Sequence, residues 1–327
     1  MFRVRSIGSL SDRQLDRWIK RAALILVVGA VAFVAFYAFD RWRPAPPPIL
    51  DQRVAALEQA VRNDPTDIAS RGQLADTYVR KGRFAEAVSQ YDAILGTGRA
   101  DELAHFGRAA AYMGLVRLDD AATDYQAVVD IAKGGEMANV DTTLEAAYYG
   151  LGSIAMKQSR PADAIPYLEK ALAITRSDAD ALYLIGTAFV ATGQTEEAVT
   201  VLRAAVVFVP IGWSEPYASL ADAYTQSGKT ALAAWAKAMA DLTAGKPDLA
   251  EPALKALVDG DAAVDAAIGL GLLYEIRGDS ATASTWYSNA LALEPDNNAA
   301  RLGLSRVGPA PSPLPILPTP GASGVNP

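Results

Sequence analysis

Two stretches of the chain match one another when one of them is shifted by 34 residues. Small and large apolar residues hold the same places in both. The matched pairs are Leu151 with Ile185, Gly152 with Gly186, Ala155 with Phe189, Ala164 with Ala198, Leu168 with Leu202, Ala171 with Ala205 and Leu172 with Val206. A period of this length is typical of helix-turn-helix units that stack into a solenoid. The sequence therefore predicts an all-α fold in which each unit buries its apolar face against its neighbours.

The composition favours helices and argues against several kinds of active site. The 327 residues are 51% hydrophobic and 20% charged, and they include no cysteine. Disulfides, thiolate metal sites and thiol nucleophiles are therefore excluded. His105 is the one histidine, which is too few for a multi-histidine metal site, and we expect a packing or surface role for it. We predict that the protein is not an enzyme and has no catalytic, cofactor-binding or metal-binding residues.

An uncharged apolar run lies near the N-terminus. Residues 22–39 carry no charge, and a helix of their length spans about 27 Å, close to the thickness of a bilayer core. Six basic residues precede this run, so the positive-inside rule predicts that residues 1–21 stay in the cytoplasm. Trp18, Tyr37 and Trp42 lie where an interfacial aromatic belt is expected. The sequence thus predicts a single-pass membrane protein whose larger part lies outside the cytoplasm, in a bacterial cell envelope.

A cleaved signal peptide is the alternative to a permanent anchor. Ala30-Val31-Ala32 offers the small residues of a cleavage site. However, the apolar run continues to Phe39 beyond this site, and the basic region before it is long. Both features favour an uncleaved anchor. In either case the bulk of the chain crosses the membrane.

The net charge differs strongly between the two ends of the chain. Residues 1–43 have a net charge of +5, whereas residues 44–327 carry 22 basic and 34 acidic side chains, a net charge of −12. An acidic body of this kind repels nucleic acid and anionic headgroups. We therefore expect no nucleic-acid partner, and we expect partner segments that are neutral or basic.

The segments on either side of the repeats have a distinct composition. Residues 40–48 are rich in proline and predict a short stiff linker. Residues 308–327 are rich in proline, glycine and serine and have no charged side chain, which predicts a disordered tail. A ligand for a proline-binding groove is the alternative for this tail. The solenoid is predicted to comprise residues 49–307, between the linker and the tail.

Four units carry the full repeat pattern, at residues 68–101, 145–178, 179–212 and 264–297. The last of them has Leu270-Gly271, Tyr274, Gly278, Ala283, Tyr287, Ala290-Leu291 and Pro295 at the expected places. These units resemble the tetratricopeptide repeat, and with a half unit at Leu57 to Pro65 the resemblance covers most of the solenoid. It implies a solenoid of about five to six hairpins. It also implies packing roles for the small residues at helix crossings, such as Gly152 and Gly186, and a left-handed turn residue such as Gly82.

Two regions depart from this pattern. In residues 102–135, Arg108 takes the usual leucine place and Val116 takes the place of the turn glycine, so this unit is either degenerate or has a lengthened turn. Residues 133–141 then read as an exposed insertion. After a fifth hairpin at residues 214–246, the sequence predicts an unpaired helix from Pro247 to Asp259 with the phase of a second helix. A short helix from Asn298 to Arg306 is expected to cap the stack.

The resemblance also implies where partners bind. In this family the first helix of each hairpin lines a concave groove. The residues at the inward places are Asp76, Phe106, Met113, Tyr149, Ser153, Met156, Tyr183, Thr187, Asp222, Thr225, Leu272 and Glu275. This set is aromatic and mildly acidic, which favours apolar anchors and Lys- or Arg-bearing segments. It lacks the Lys, Arg and Asn set with which chaperone-binding relatives hold a C-terminal carboxylate, so we exclude an acidic tail as ligand.

Two functions fit this layout. The first is a membrane-anchored scaffold that contacts the lipid bilayer through residues 22–39 and binds peptide or helical segments of partner proteins, in envelope protein assembly or quality control. The second is a structural subunit that self-assembles within a larger membrane complex as a homo-oligomer. The layout resembles bacterial single-span tetratricopeptide proteins that accompany secretion translocons or cytochrome biogenesis.

Overall fold

The computed structural model describes residues 12–42, 47–98, 101–208 and 212–308. All regular elements within these ranges are α-helices, sixteen in number. Several predicted features lie outside the described residues, namely the start of the basic N-terminal segment, residues 43–46 of the linker and the tail from residue 309 onward. The chain divides into two compact units, residues 1–56 and residues 57–327.

A single long helix dominates the first unit. Helix α1 (Asp12–Trp42) has 31 residues and extends the predicted apolar run at both ends. Its apolar side chains are exposed, with Ile25 at 72% and Leu26 at 74% exposure. The segment Leu15–Arg41 has a mean hydropathy of 2.6, long and apolar enough to cross a bilayer, and a signal sequence near an N-terminus meets the same criterion.

The second unit consists of helical hairpins. Its helices, beginning with one that crosses the boundary between the units, are α2 (Ile49–Asn63), α3 (Ile68–Arg80), α4 (Phe84–Leu95), α5 (Glu102–Gly114), α6 (Leu118–Ala132), α7 (Thr142–Lys157), α8 (Pro161–Ile174), α9 (Ala179–Thr192), α10 (Thr195–Phe208), α11 (Glu215–Gln226), α12 (Thr230–Thr243), α13 (Pro247–Lys255), α14 (Ala263–Ile276), α15 (Ser280–Leu293) and α16 (Asn298–Val307). Six hairpins occur where the repeat period predicts them, and α16 packs on the last hairpin as the expected cap.

Aspartate side chains start most of the first helices. Asp67, Asp101, Asp141 and Asp178 precede α3, α5, α7 and α9, and each accepts a hydrogen bond from a backbone N–H in the first turn of its helix. Such N-caps contribute about 1 kcal/mol each, because they satisfy donors that have no partner inside the helix. The caps therefore help to fix where these four repeats begin.

Small residues let the two helices of a hairpin approach closely. A Cβ atom added at Gly152 would lie 2.6 Å from Cγ of Leu168, and one added at Gly186 would lie 2.5 Å from Cγ of Leu202. Both leucines are fully buried. The expected packing role of these glycines at the helix crossings is confirmed, because any side chain there would push the axes apart.

The degenerate second repeat keeps the standard turn. The turn at residues 115–117 has the same length as the turn at residues 81–83. Val116 has the left-handed φ of 58° where Gly82 has 71°. The backbone bonds are also equivalent, since Arg117 N–H donates to Tyr112 as Arg83 N–H does to Tyr78. The turn is therefore not lengthened, and valine occupies a glycine conformation.

In the same repeat, Arg108 takes part in an ionic network in place of the apolar contacts that a leucine would make. Asp124 is 2% exposed and accepts hydrogen bonds from Nε of Arg108 at 2.7 Å and from Nη2 at 2.8 Å. His105 Nδ1 lies 2.8 Å from Asp124 Oδ1, and Nη1 of Arg108 bonds to Asp92 at 2.6 Å. The paired carboxylates raise the pKa of Arg108. Arginine is tolerated at a leucine place because every buried charge has a partner.

The first helices of successive hairpins form a continuous row. α3 packs against α5, α5 against α7, α7 against α9, and α9 against α11. Within the described residues, successive second helices make no contact of similar extent. We call the exposed side of α3, α5, α7, α9 and α11 the row-one surface.

After α11 the row continues through α12, which is a second helix, instead of through the next first helix. The sequence predicts an unpaired helix at Pro247 to Asp259, but α13 pairs with α12, which is already the second helix of the preceding hairpin. α12 then packs against α14, and α14 against α16. The predicted helix is therefore paired, and Gly269 of α14 explains why. A Cβ atom at Gly269 would lie 2.8 Å from Sδ of Met239 and 3.1 Å from Cδ2 of Leu254. Without a side chain there, α14 contacts both α12 and α13 closely. We call the exposed side of α12, α14 and α16 the row-two surface.

The left-handed valine leads to a stability prediction. Val116 is 76% exposed, so V116G removes little packing while it relieves backbone strain. We expect V116G to raise the free energy of unfolding by about 0.5 to 1 kcal/mol, the left-handed penalty less the entropic cost of glycine. Urea unfolding followed by circular dichroism measures it. The reciprocal variant G82V serves as the control and should lose a similar amount, about 0.5 to 1 kcal/mol. Equal stability of V116G and the parent would contradict the strain argument.

Candidate protein-interaction surfaces

Ten of the twelve predicted groove residues lie on the row-one surface. Seven are half-buried and three are exposed. The half-buried residues are Phe106, Met113, Tyr149, Ser153, Met156, Tyr183 and Thr187, and the exposed residues are Asp76, Asp222 and Thr225. Their accessibility is compatible with binding, and their contact with a partner stays a prediction.

A shallow depression joins α3 and α5 at the start of this surface. Its volume is about 370 Å³, and its walls include Asp76, Tyr91, Leu103 and Phe106. Tyr91 donates a hydrogen bond to Asp76 at 2.6 Å, and its pKa is raised by burial and by that carboxylate. Phe106 meets Tyr125 edge-on at 5.8 Å between ring centroids. The structure thus brings two predicted residues, Asp76 and Phe106, into one depression with an apolar wall and an acidic edge.

The middle of the row-one surface is aromatic, with carboxylates around it. Tyr183 contacts Trp213 with ring centroids 5.2 Å apart. Burial raises the pKa of Tyr149 and Tyr183, and negative charges add to the shift, chiefly Asp180 for Tyr149 and Glu215 for Tyr183. These carboxylates make the electrostatic surroundings of both tyrosines acidic. A segment that is apolar and basic is complementary to this region.

Sequence reasoning missed Trp213. This residue lies in the connector before α11, outside the repeat places from which the groove was predicted. A half-buried tryptophan beside a predicted groove tyrosine is a strong candidate for a binding anchor, because aromatic residues concentrate binding energy at interfaces. The available signal was a large aromatic residue at a break in the period.

The two remaining predicted residues belong to the row-two surface. Leu272 is 5% exposed and lines a cavity on this side of the second unit. Glu275 accepts hydrogen bonds from Arg306 at 2.7 Å and from Tyr287 at 2.7 Å. Both of its oxygens therefore have partners within the chain. The shift of the helix row at α12 separates these two residues from the other ten.

The row-two cavity has a volume of about 190 Å³. Most of its walls are apolar. The charged side chains at its edge form ion pairs with one another or with neighbouring residues. The lining residues are Arg203, Val206, Val207, Tyr217, Trp235, Met239, Asp265, Ile268, Gly269, Leu272, Tyr287, Asn297, Ala299, Leu302 and Arg306. They come from α10, α11, α12, α14, α15, α16 and the turn before α16, so the cavity depends on the change of row.

An ion pair closes one edge of this cavity. Nη2 of Arg203 lies 2.8 Å from Oδ1 of Asp265, which is 62 residues further along the chain. Nη1 of Arg203 also donates to the hydroxyl of Tyr224 at 3.0 Å, and the guanidinium lies 5.4 Å from the ring centroid of Trp235. Pairing leaves this edge close to neutral.

The described residues include no group of three or more His, Asp or Glu side chains arranged to hold a metal ion. The described residues do offer surfaces for apolar and aromatic contact.

The comparison with protein families identifies the repeats. A tetratricopeptide repeat family model matches residues 73–136, 149–216 and 235–298, more than half of the chain. The chain belongs to the tetratricopeptide repeat family. The third match begins within α12 and takes this helix as a first helix, in agreement with its pairing to α13. Proteins of this family are generally interaction scaffolds without catalysis of their own.

Several solved structures are similar to this chain. The C-terminal part of a tetratricopeptide repeat protein from Cytophaga hutchinsonii is 19% identical, with a TM-score of 0.50 over 78% of this chain and 94% of that one. A crystal structure of MamA is 22% identical, with a TM-score of 0.48 over 55% of this chain and 93% of that one. YrrB, described as a tetratricopeptide protein with an unusual peptide-binding site, is 16% identical, with a TM-score of 0.43, and the match covers 77% of this chain and 99% of YrrB. A comparison with curated proteins found no match.

Glu145 at the start of α7 makes the array sensitive to pH. Its Oε1 atom is buried without a hydrogen-bond partner, and burial, followed by the contact with Asp178, raises its pKa from 4.5 to about 7. A raised carboxyl pKa means that the folded state holds the proton more tightly than the unfolded state. The stabilising contribution is therefore complete below pH 4.5 and is lost as the pH rises through about 7.

We expect E145Q to remove this part of the pH dependence, because glutamine stays neutral. At pH 8 the variant should be more stable than the parent by about 1 to 2 kcal/mol, a value reduced for solvent screening. Urea unfolding at several values between pH 4.5 and 8 measures the difference. E169Q, at an exposed glutamate on α8, is the matched control. If the free energy of unfolding changed with pH in the same way in the parent and in E145Q, Glu145 would not be the source of the pH dependence.

Proposed function

We propose that this protein is a membrane-anchored scaffold that binds peptide or helical segments of partner proteins on its row-one surface, in envelope protein assembly or quality control. The observation that carries the proposal is the half-buried aromatic series at the middle of this surface. Tyr149, Tyr183 and Trp213 there offer apolar area at low entropic cost.

The partner segment is apolar with neutral or basic flanks. Asp178, Asp180 and Glu215 surround the tyrosines, and Asp222 is exposed further along the same row. A carboxylate-rich ligand would be repelled by this set. Lys or Arg beside an apolar anchor side chain would instead gain favourable charge contacts.

The membrane part of the proposal is supported by α1. Its apolar side chains have no cover within the described residues of the first unit, which is stable in lipid and costly in water. The helix continues through the basic residues Arg17, Lys20 and Arg21 before the apolar run. We propose that this helix remains attached as an anchor and that the repeats work on the far side of the membrane.

The partner-binding prediction is tested with the double variant Y149A/Y183A. In the full chain in its own membrane, crosslinking should capture partner proteins through the row-one surface, and the double variant should reduce this capture at least tenfold, as expected when two aromatic anchors are removed. Y167A, a half-buried tyrosine of second helix α8, is the control for loss of packing. Unchanged capture of every partner by Y149A/Y183A would show that the groove assignment is wrong.

Sedimentation of the same protein distinguishes the alternative, because a stable dimer or higher species would favour the self-assembling subunit.

The absence of cysteine allows a direct test of the anchor. Single-cysteine variants S11C and E136C place one thiol before α1 and one in the exposed insertion. In intact spheroplasts a membrane-impermeant maleimide should label E136C only, and S11C should react after lysis. Protection of E136C would contradict the orientation, and a mature protein that lacks the S11C thiol would contradict the uncleaved anchor.

A further inference from the structure

The row-two cavity has the features of a binding pocket for an uncharged apolar segment. Its charged residues are already paired, Arg203 with Asp265 and Arg306 with Glu275. A cavity of about 150 Å³ can hold a benzene molecule, so the observed volume of about 190 Å³ is sufficient for one or two aliphatic side chains. A charged ligand would gain no free partner there.

One polar group at the cavity has no partner. Trp235 lines the cavity and is 6% exposed, and its indole Nε1 atom is buried without a hydrogen-bond acceptor. Buried N–H groups are nearly always paired, because an unpaired donor costs free energy. Tyr217 packs edge-on against the same indole at 5.9 Å. Aromatic side chains are the usual wall of a site for proline-rich segments.

The chain itself contains a segment with the required chemistry. After Gly308, the sequence contains Pro313-Leu314-Pro315-Ile316-Leu317-Pro318, which is uncharged and combines large aliphatic side chains with prolines. Prolines restrict the free chain, so less conformational entropy is lost when it binds.

The tail begins at the end of α16, the helix that forms one wall of the cavity. The carbonyl of Gly308 accepts a hydrogen bond from Ser284 Oγ at 3.0 Å, and Ser284 lies one helical turn of α15 from Tyr287, which lines the cavity. Leu302 and Arg306 are the residues of α16 in its wall. The six residues from Gly308 to Leu314 can span about 19 Å in polyproline geometry, more than the length of about 15 Å of α16. The tether is therefore long enough for Leu314 to reach the cavity.

We propose that residues 313–318 of the chain's own tail bind in the row-two cavity, with their aliphatic side chains in the apolar pocket beside Trp235. The short tether gives the tail an effective concentration in the millimolar range, so a weak intrinsic affinity is enough for occupancy. This binding does not depend on the partner-binding function, because it uses the row-two surface and needs no second protein.

The test uses the full-length chain in detergent and a fluorescein-labelled synthetic peptide of residues 309–327, followed by fluorescence anisotropy. The variant L314S/I316S/L317S removes the aliphatic side chains from the attached tail. Because the cavity is then free, this tail variant should bind the peptide at least tenfold more tightly than the parent chain.

A matched pair of substitutions locates the site. Leu302 lines the cavity and is 55% exposed, whereas Leu249 is 60% exposed and lies outside it. In the tail variant, L302E should weaken peptide binding at least tenfold and L249E should leave it unchanged; circular dichroism verifies that both remain folded. Equal peptide affinity of parent and tail variant, absence of binding to either, or binding that survives L302E would overturn the proposal. None of these readouts involves capture of a partner, so they are independent of the proposed function.

Discussion

The close crossing of the two helices in each hairpin is the contact on which the rest of the structure depends. At Gly152 and Gly186 the backbone of a first helix lies against a buried leucine of its partner, with no room for a side chain. At Gly271 the ring of Tyr287 fills the same place. Because the helices approach so closely, each hairpin is thin and presents a flat face to the next. The row of first helices, and with it the candidate groove, follows from this geometry.

The hairpins could be predicted because their signal is local and repeated. Leu168 and Leu202 occupy equivalent places one period apart, and aspartate caps mark the start of four of the six first helices. The same logic located the insertion at residues 133–141, which forms a series of exposed turns. A solenoid suits such inference, since each unit contacts mainly its neighbours and a short window contains most of the determining residues.

The change of row could not be predicted in this way. Helix α12 has an apolar surface wide enough to contact two hairpins, and the sequence gives no direct sign of which helix α14 will contact. The contact depends on Gly269 with Met239 and Leu254, and on the pairing of Arg203 with an aspartate 62 residues away. Two predicted residues, Leu272 and Glu275, consequently lie on the row-two surface. Trp213 was missed for a related reason, because it follows a break in the period.

The sharing of α12 has a consequence for the mechanics of the array. A solenoid of independent hairpins can separate at any junction, since each junction involves only the faces of two neighbours. Here one helix belongs to both neighbours, so opening that junction would require α12 to leave one of its hairpins. We expect the repeats on the two sides of α12 to lose structure in a single cooperative step, whereas repeats nearer the N-terminus can fray one at a time. Residues 230–243 therefore connect the two helical stacks into one cooperative unfolding unit.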